Sequence, residues 1–226
     1  QAHAATEVNL GHTLSDSSHY SVGADAFKET LERLSDGEFT VTEHTSGSLG
    51  GEREMIEGLQ IGTVDVVITS TGPLGNFVLD LPFLFENYDQ ARCVLDSELG
   101  DELLEKMGDH DLVGLAWTEN GFRHLTNSQR EIATPADAEG LRVRTMENEV
   151  HQEAFRQMGA RPTPMAFPEL FTALQQGTVD GQENPITVIV ATNFWEVQDY
   201  LSLTGHVYSP AIVLGSPILL DGLSDE

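Results

Sequence analysis

The sequence predicts an α/β fold built around a parallel sheet. Three observations carry this. Stretches of 3.6-residue apolar periodicity alternate with short alternating or continuous apolar runs along the chain. Gly140 to Pro185 reads as strand, helix, strand, helix, strand. Val64 to Thr69 is a near-continuous apolar run, as expected of a strand covered on both faces.

Taken in order, Val8–Gly11 is the first expected strand. His19–Leu34 is a helix, because Ala24, Phe27, Leu31 and Leu34 keep helical spacing and Asp36-Gly37 stops it. Phe39–Glu43 alternates like a strand. Ser46–Gly51 is a loop, and Glu52–Gln60 a helix with Met55, Ile56 and Leu59 inward. After the Val64–Thr69 strand, Tyr88–Met107 is helical with a break near Gly100, and Asp111–Thr118 is a strand. Thr134–Gly140 is a short helix with Thr134 as N-cap and Pro135 in its first position. Leu141–Arg144 alternates apolar and basic residues like a strand, ending with Arg144 aimed out of the sheet edge. Glu147–Met158 is a helix with Val150, Ala154, Phe155 and Met158 on one face. Pro168–Gln176 is another, opened by proline and closed by Gly177. Asn184-Pro185 ends the next strand, Ile186–Trp195 is a helix, and Tyr200–Tyr208 is extended.

Composition narrows the function classes. The 226 residues suffice for one large domain or two small ones. The formal net charge of −26 excludes the clustered basic surface that nucleic acid or an anionic membrane requires, so neither is an expected partner. No apolar run is long enough to span a bilayer, and no direct membrane insertion is expected. Acidic residues spread from Glu7 to Glu226, while Lys28 and Lys106 are the only lysines. Such a surface suits a halophilic setting, where salt screens self-repulsion over ~3 Å at 1 M. Cys93 is the single cysteine, so no intramolecular disulfide forms; a buried, inert thiol is expected there.

The chemistry points to binding. In an open α/β sheet, ligands sit beyond the carboxyl ends of the strands. Arg144 and Asn184 both fall at such ends, and a guanidinium beside an amide suits capture of a carboxylate. A salt bridge for Arg144 and a turn role for Asn184 are the plainer alternatives. The chain has no Gly-x-Ser-x-Gly elbow, His-Glu-x-x-His, P-loop or Gly-x-Gly-x-x-Gly. Glu149-Val-His-Gln-Glu153 is not a metal motif, since His151 is two positions from each glutamate on a helix and faces elsewhere. No catalytic residue, metal or cofactor is expected.

Arg-Val-Arg-Thr-Met-Glu-Asn (142–148), Pro-Thr-Pro-Met-Ala-Phe (162–167) and Ala-Leu-Gln-Gln-Gly-Thr-Val-Asp-Gly-Gln-Glu-Asn-Pro (173–185) resemble the solute-binding proteins of tripartite ATP-independent periplasmic (TRAP) transporters, the DctP-like family. Leu10-Gly-His, Ser48-Leu-Gly-Gly-Glu-Arg-Glu54, Gly62-Thr-Val-Asp and Leu79-Asp-Leu-Pro-Phe-Leu-Phe85 extend the likeness over nearly the whole chain. The family usually carries several more residues between Asn76-Phe77-Val78 and Leu79, and runs on through further helices beyond the position of Glu226. The likeness therefore implies a shortened or incomplete loop and a truncated end. The start, Gln1-Ala-His-Ala-Ala-Thr, has no basic segment followed by an apolar one, which is expected of a mature exported form.

The resemblance implies a two-lobed periplasmic binding protein of the Venus-flytrap kind with a cleft between lobes: residues 1–122 plus 209–226 as one lobe, 123–208 as the other. It implies a monomeric receptor that binds a small organic acid and delivers it to TRAP membrane permease subunits. Arg144 becomes the principal clamp. Arg123 has the spacing of a second ligand-facing arginine, with a structural pair across the crossover as the alternative. Asn184 orients the ligand, Phe167 packs on it or joins the core, and Glu147 faces it. Arg53, Glu54 and Ser70 are first-lobe contacts on the same implication, while His12 is expected to be a satisfied loop histidine. A zwitterionic compatible solute of the ectoine type, an enzyme on an α/β scaffold and a receptor's sensing domain are the competing readings.

Overall fold

The computed structural model describes residues 5–75 and 77–223. Asn76, in the loop where the resemblance departs, lies outside the described residues, as do the first four and last three positions. The chain forms two compact units. One comprises residues up to Thr69, Val94–Thr118 and those from Ala211; the other comprises Ser70–Cys93 and Glu119–Pro210. Ser70–Cys93 thus groups with the second unit, whereas the lobes drawn from the sequence put it in the first.

In the first unit, β1 (Thr6–Gly11) pairs in parallel with β2 (Phe39–His44) on one side and β3 (Val66–Ser70) on the other. Every residue of β3 is buried, as its apolar run requires. Helix α1 (His19–Leu34) starts where the Ser18 hydroxyl accepts the Ser21 amide. In α2 (Glu52–Ile61) the Glu54 carboxylate accepts the Gly51 amide and Gly62 closes the helix in the left-handed region. Met55 and Leu59 of α2 are buried, as are Val8, Leu10 and Val67 of the strands.

The long helix expected over 88–107 is two, α3 (Tyr88–Leu95) and α4 (Glu98–Glu105), with Ser97 as the second one's N-cap. Gly100 lies inside α4, not at the break, because its missing Cβ lets the helix approach the Leu95 carbonyl. Gly100→Ala is expected to destabilise the protein by about 1–3 kcal/mol through overpacking, read as a lower urea midpoint at constant slope. Cys93 is exposed on α3, not buried, because Ala91 and Leu95 turn inward in its place.

Two long strands, β4 (Val113–Asn127) and β8 (Tyr200–Gly215), contribute residues to both units. The strand expected over Asp111–Thr118 runs on to Asn127, and the extended stretch expected over Tyr200–Tyr208 runs on to Gly215. A short helix, α8 (Pro217–Asp221), follows β8.

In the second unit the strand order is β8-β4-β7-β5-β6, with β5 Arg142–Thr145, β6 Arg161–Pro164 and β7 Gly181–Pro185. β5 is parallel to β6 and β7, while β4 runs antiparallel to β7. Paired residues share a face. Val143, Gly181, Glu183 and Leu125 therefore lie on one side of the sheet, and Arg144, Gln182, Asn184 and Thr126 on the other. Helix α5 (Glu149–Gln157) covers the first side through Phe155, packed with Leu125, Leu141, Val143 and Ala160. Helices α6 (Leu170–Gln175) and α7 (Ile186–Ala191) bury Leu170, Leu174 and Ile189 in a separate cluster with Met165 and Phe167 at its margin. α5 begins two residues later than the periodicity suggested, because the Asn148 side-chain Oδ1 accepts the His151 amide as an N-cap. α7 stops early because Asn193 turns into the left-handed region, leaving Phe194–Glu196 as a separate 3-10 turn.

Candidate carboxylate site

The carboxyl ends of β5 and β7 and the Arg123 end of the β4 pairing meet at one edge of the second unit's sheet. This edge gathers Arg144, Arg123 and Asn184. Arg144 is 1% exposed. Its Nε and one terminal nitrogen donate to the Met165 carbonyl at 2.9 and 2.7 Å, and the guanidinium carbon stands 5.8 Å from the centre of the Phe167 ring. The carbonyl and ring hold the guanidinium plane in place. Phe167 is half-buried and also packs against Phe194 at 5.9 Å, so it serves the core as well as the arginine.

Arg123 is equally buried, but its fork is occupied. Nε and one terminal nitrogen donate to the two Glu183 carboxylate oxygens at 2.6 and 2.9 Å. The same terminal nitrogen reaches the Glu183 carbonyl at 2.7 Å and the Asn184 Oδ1 at 3.1 Å. This is the structural pairing weighed for Arg123 as the alternative to a second clamp. His206 approaches Glu183 from β8 at 2.9 Å. Burial pushes the Glu183 carboxyl up, but the Arg123 charge and the His206 hydrogen bond outweigh it and hold the group far below the usual carboxylate range. Asn184 donates its amide to Gln182 Oε1 at 2.7 Å while accepting from Arg123, which fixes the direction of its amide. Gln182 in turn donates to Thr126 and Thr126 to Gln198, both at 2.8 Å.

The remaining sequence candidates fall in different places. Glu147 is exposed on the turn between β5 and α5. Ser70 is buried in the same unit, with its hydroxyl 3.4 Å from the Met146 sulfur. Arg53 and Glu54 are exposed on α2 of the first unit, and Glu54 is engaged in capping its own helix. His12 is a satisfied buried histidine: Nε2 lies 2.7 Å from Glu43 and Nδ1 accepts the Leu14 amide.

Sequence reasoning missed a second buried polar group beside this edge. Asp80 is fully buried and accepts the Thr71 hydroxyl at 2.9 Å; the Asn148 amide nitrogen lies 3.5 Å from its other oxygen, and His151 Nε2 3.8 Å from the first. Burial raises the Asp80 carboxyl to about 7, opposed by the Thr71 hydrogen bond and the Arg123 charge. Burial also lowers the His151 imidazole to about 4, against the pull of the Glu183 charge. Nothing in Leu79-Asp80-Leu-Pro set this acid apart from the chain's other 36, given 37 in all.

The profile of bacterial extracellular solute-binding protein family 7, DctP, matches residues 10–226. The chain belongs to that family. It is a solute receptor of the TRAP type, with the two-lobed α/β fold of its solved relatives. A solute-binding protein of Verminephrobacter eiseniae is 47% identical over 227 residues, covering 98% of this chain and 68% of the relative. The crystal structure of a TRAP periplasmic solute-binding protein from Polaromonas sp. JS666, bound to D-erythronate, superposes with a TM-score of 0.95 at 56% identity, covering 97% of this chain and 74% of that one. A TRAP solute-binding protein from Bordetella bronchispeptica, with density interpreted as pantoate, gives a TM-score of 0.94 at 54% identity over 97% of this chain and 75% of its own. DctP proteins are periplasmic transport receptors as a family, not enzymes. Among the described residues no group of His, Cys, Asp and Glu is arranged to hold a metal ion, and no helix is long and apolar enough to cross a membrane.

Proposed function

We propose that this receptor binds a small hydroxy acid by its carboxylate at the Arg144 edge, in the periplasm, and as a monomer hands it unchanged to a TRAP permease. The observation that supports this most is Arg144 itself. It is a buried guanidinium at the carboxyl end of a parallel strand, held by the Met165 carbonyl and the Phe167 ring. A fork held in this way can meet both oxygens of a carboxylate with little ordering cost. Asn184, its amide direction set by Arg123 and Gln182, orients the acid or an adjacent hydroxyl, and Arg123 acts through it. Glu147 and Ser70 are further contacts on either side of Met146. Erythronate and pantoate in the related structures favour a short hydroxy acid over a zwitterion.

A thermal-shift panel of aldonic, uronic, C4-dicarboxylic and branched hydroxy acids tests the reading. Stabilisation follows RT ln(1 + [L]/Kd), so a saturating acid raises the midpoint and a non-binder does not. Recovery of that acid unchanged by mass spectrometry separates receptor from enzyme. The charge of −26 adds a kinetic expectation. An anion is repelled at low salt, so raising ionic strength speeds its association. Stopped-flow rates that drop as salt is added would contradict the expectation.

A further inference from the structure

The loop after β3 is held by the turn between β5 and α5. Met146 packs so closely on Gly72 that a Cβ there would meet its sulfur at 2.6 Å. The Asn148 side chain has two tasks: its oxygen caps α5 by accepting the His151 amide at 3.0 Å, and its nitrogen donates to the carbonyls of Gly72 at 3.2 Å and Gly75 at 3.0 Å. Asp80, from the 3-10 turn that ends this loop, lies under the same nitrogen and against the His151 ring. Among the described residues neither nitrogen of that buried ring lies within ordinary hydrogen-bond geometry of a partner, and Asp80 is the acid that stands against it. The β5–α5 turn follows directly on the strand end that carries Arg144 and has Glu147 in its middle.

We infer that Asp80, Asn148 and His151 form a clasp that sets the position of the β5–α5 turn, and that gaining or losing a proton at Asp80 tightens or loosens it. For acid binding the inference rests on the carboxylate reading above; for the turn itself it does not. The groups facing Asp80 are the Thr71 hydroxyl from its own loop, Asn148 and His151 from α5, and the charges of Arg123 on β4 and Glu183 on β7. Those acting on His151 are Asp80, Glu183, Arg123 and His206. Protonated, Asp80 is neutral and fits this buried site. Ionised, it is an anion out of water within the field of a second anion, Glu183. Opening the clasp to admit water relieves that state. The carboxyl's rise to about 7 places the change near neutral pH. The sign follows from linkage. The closed clasp keeps a proton that the opened one releases, so closure weakens as pH rises through 7 and is strongest below it.

Hydrogen exchange at the amides of residues 145–150 tests this, comparing wild type with Asp80→Asn at each pH so that intrinsic exchange cancels. The variant keeps the side chain's shape and cannot ionise. Protection in wild type is expected to fall about tenfold relative to the variant between pH 6 and 8, the effect of one unit of proton linkage. Asn148→Ser keeps an N-cap but loses the reach to Gly72 and Gly75. It should raise exchange at 145–150 at both pH values while leaving the rest of α5, from His151 on, protected. Titration with D-erythronate as probe should show wild-type affinity falling over the same interval and Asp80→Asn affinity staying level. Equal pH profiles of exchange in wild type and Asp80→Asn overturn the clasp. Exchange that behaves as expected, with no acid bound at any pH, supports the clasp and overturns the carboxylate reading instead.

Discussion

Arg144→Gln is expected to weaken binding of the acid by about two to four orders of magnitude. A carboxylate gripped by the fork gains two charge-assisted hydrogen bonds, each contributing ~1.5–3 kcal/mol net. Glutamine keeps a similar length and one donor group but no charge and no fork. Isothermal titration with the acid that gives the largest thermal shift reads the loss directly. Arg144→Lys is expected to recover little of it, since an ammonium cannot donate to the Met165 carbonyl and present two parallel donors to a ligand. If Arg144→Gln holds the acid as tightly as wild type, the carboxylate does not sit on this arginine.

The second large effect concerns stability. Glu183→Gln removes the counter-charge from a guanidinium that is 1% exposed. Breaking a buried pair from one side typically costs about 3–5 kcal/mol, because the remaining charge stays out of water. Urea unfolding should show the loss as a lower midpoint. The pH dependence identifies its origin. Folding lowers the Glu183 carboxyl below its ordinary value of 4.5. Its contribution is therefore fully present above that value and is lost as pH falls below it. Glu183→Gln should remove this acid-side slope. Asp80 acts in the opposite sense. Its raised carboxyl favours the fold below 3.8, and that advantage is lost as pH rises towards 7. The two variants should flatten different limbs of the stability profile.

The alternation of elements was legible because periodicity and helix-stop signals report local geometry. Asp36-Gly37 and Gly177 mark ends that the backbone confirms through left-handed conformations. Arg144 and Asn184 were legible for the same reason: each falls at the end of a run whose direction the sequence reveals. The partner of Arg123 was not. Glu183 sits beside Asn184, and alternation alone shows that the two side chains leave the strand on opposite faces. Which face meets β4, and in what register, depends on tertiary pairing. Asp80 was hidden differently. An aspartate in an acidic chain reads as solvent-facing, and only the approach of Asn148 and His151 from residues ~70 positions away makes it buried. Cys93 was misjudged because a helical pattern fixes the spacing of faces but not which one turns inward.

That exposed sulfur has a practical consequence. It is the chain's lone thiol, one residue from Arg92, whose guanidinium stacks on Tyr88 and pairs with Glu119. A maleimide dye can therefore be attached to these 226 residues at one defined point. Its emission would follow the surroundings of α3 as acids are titrated, giving a reagentless optical readout for the receptor.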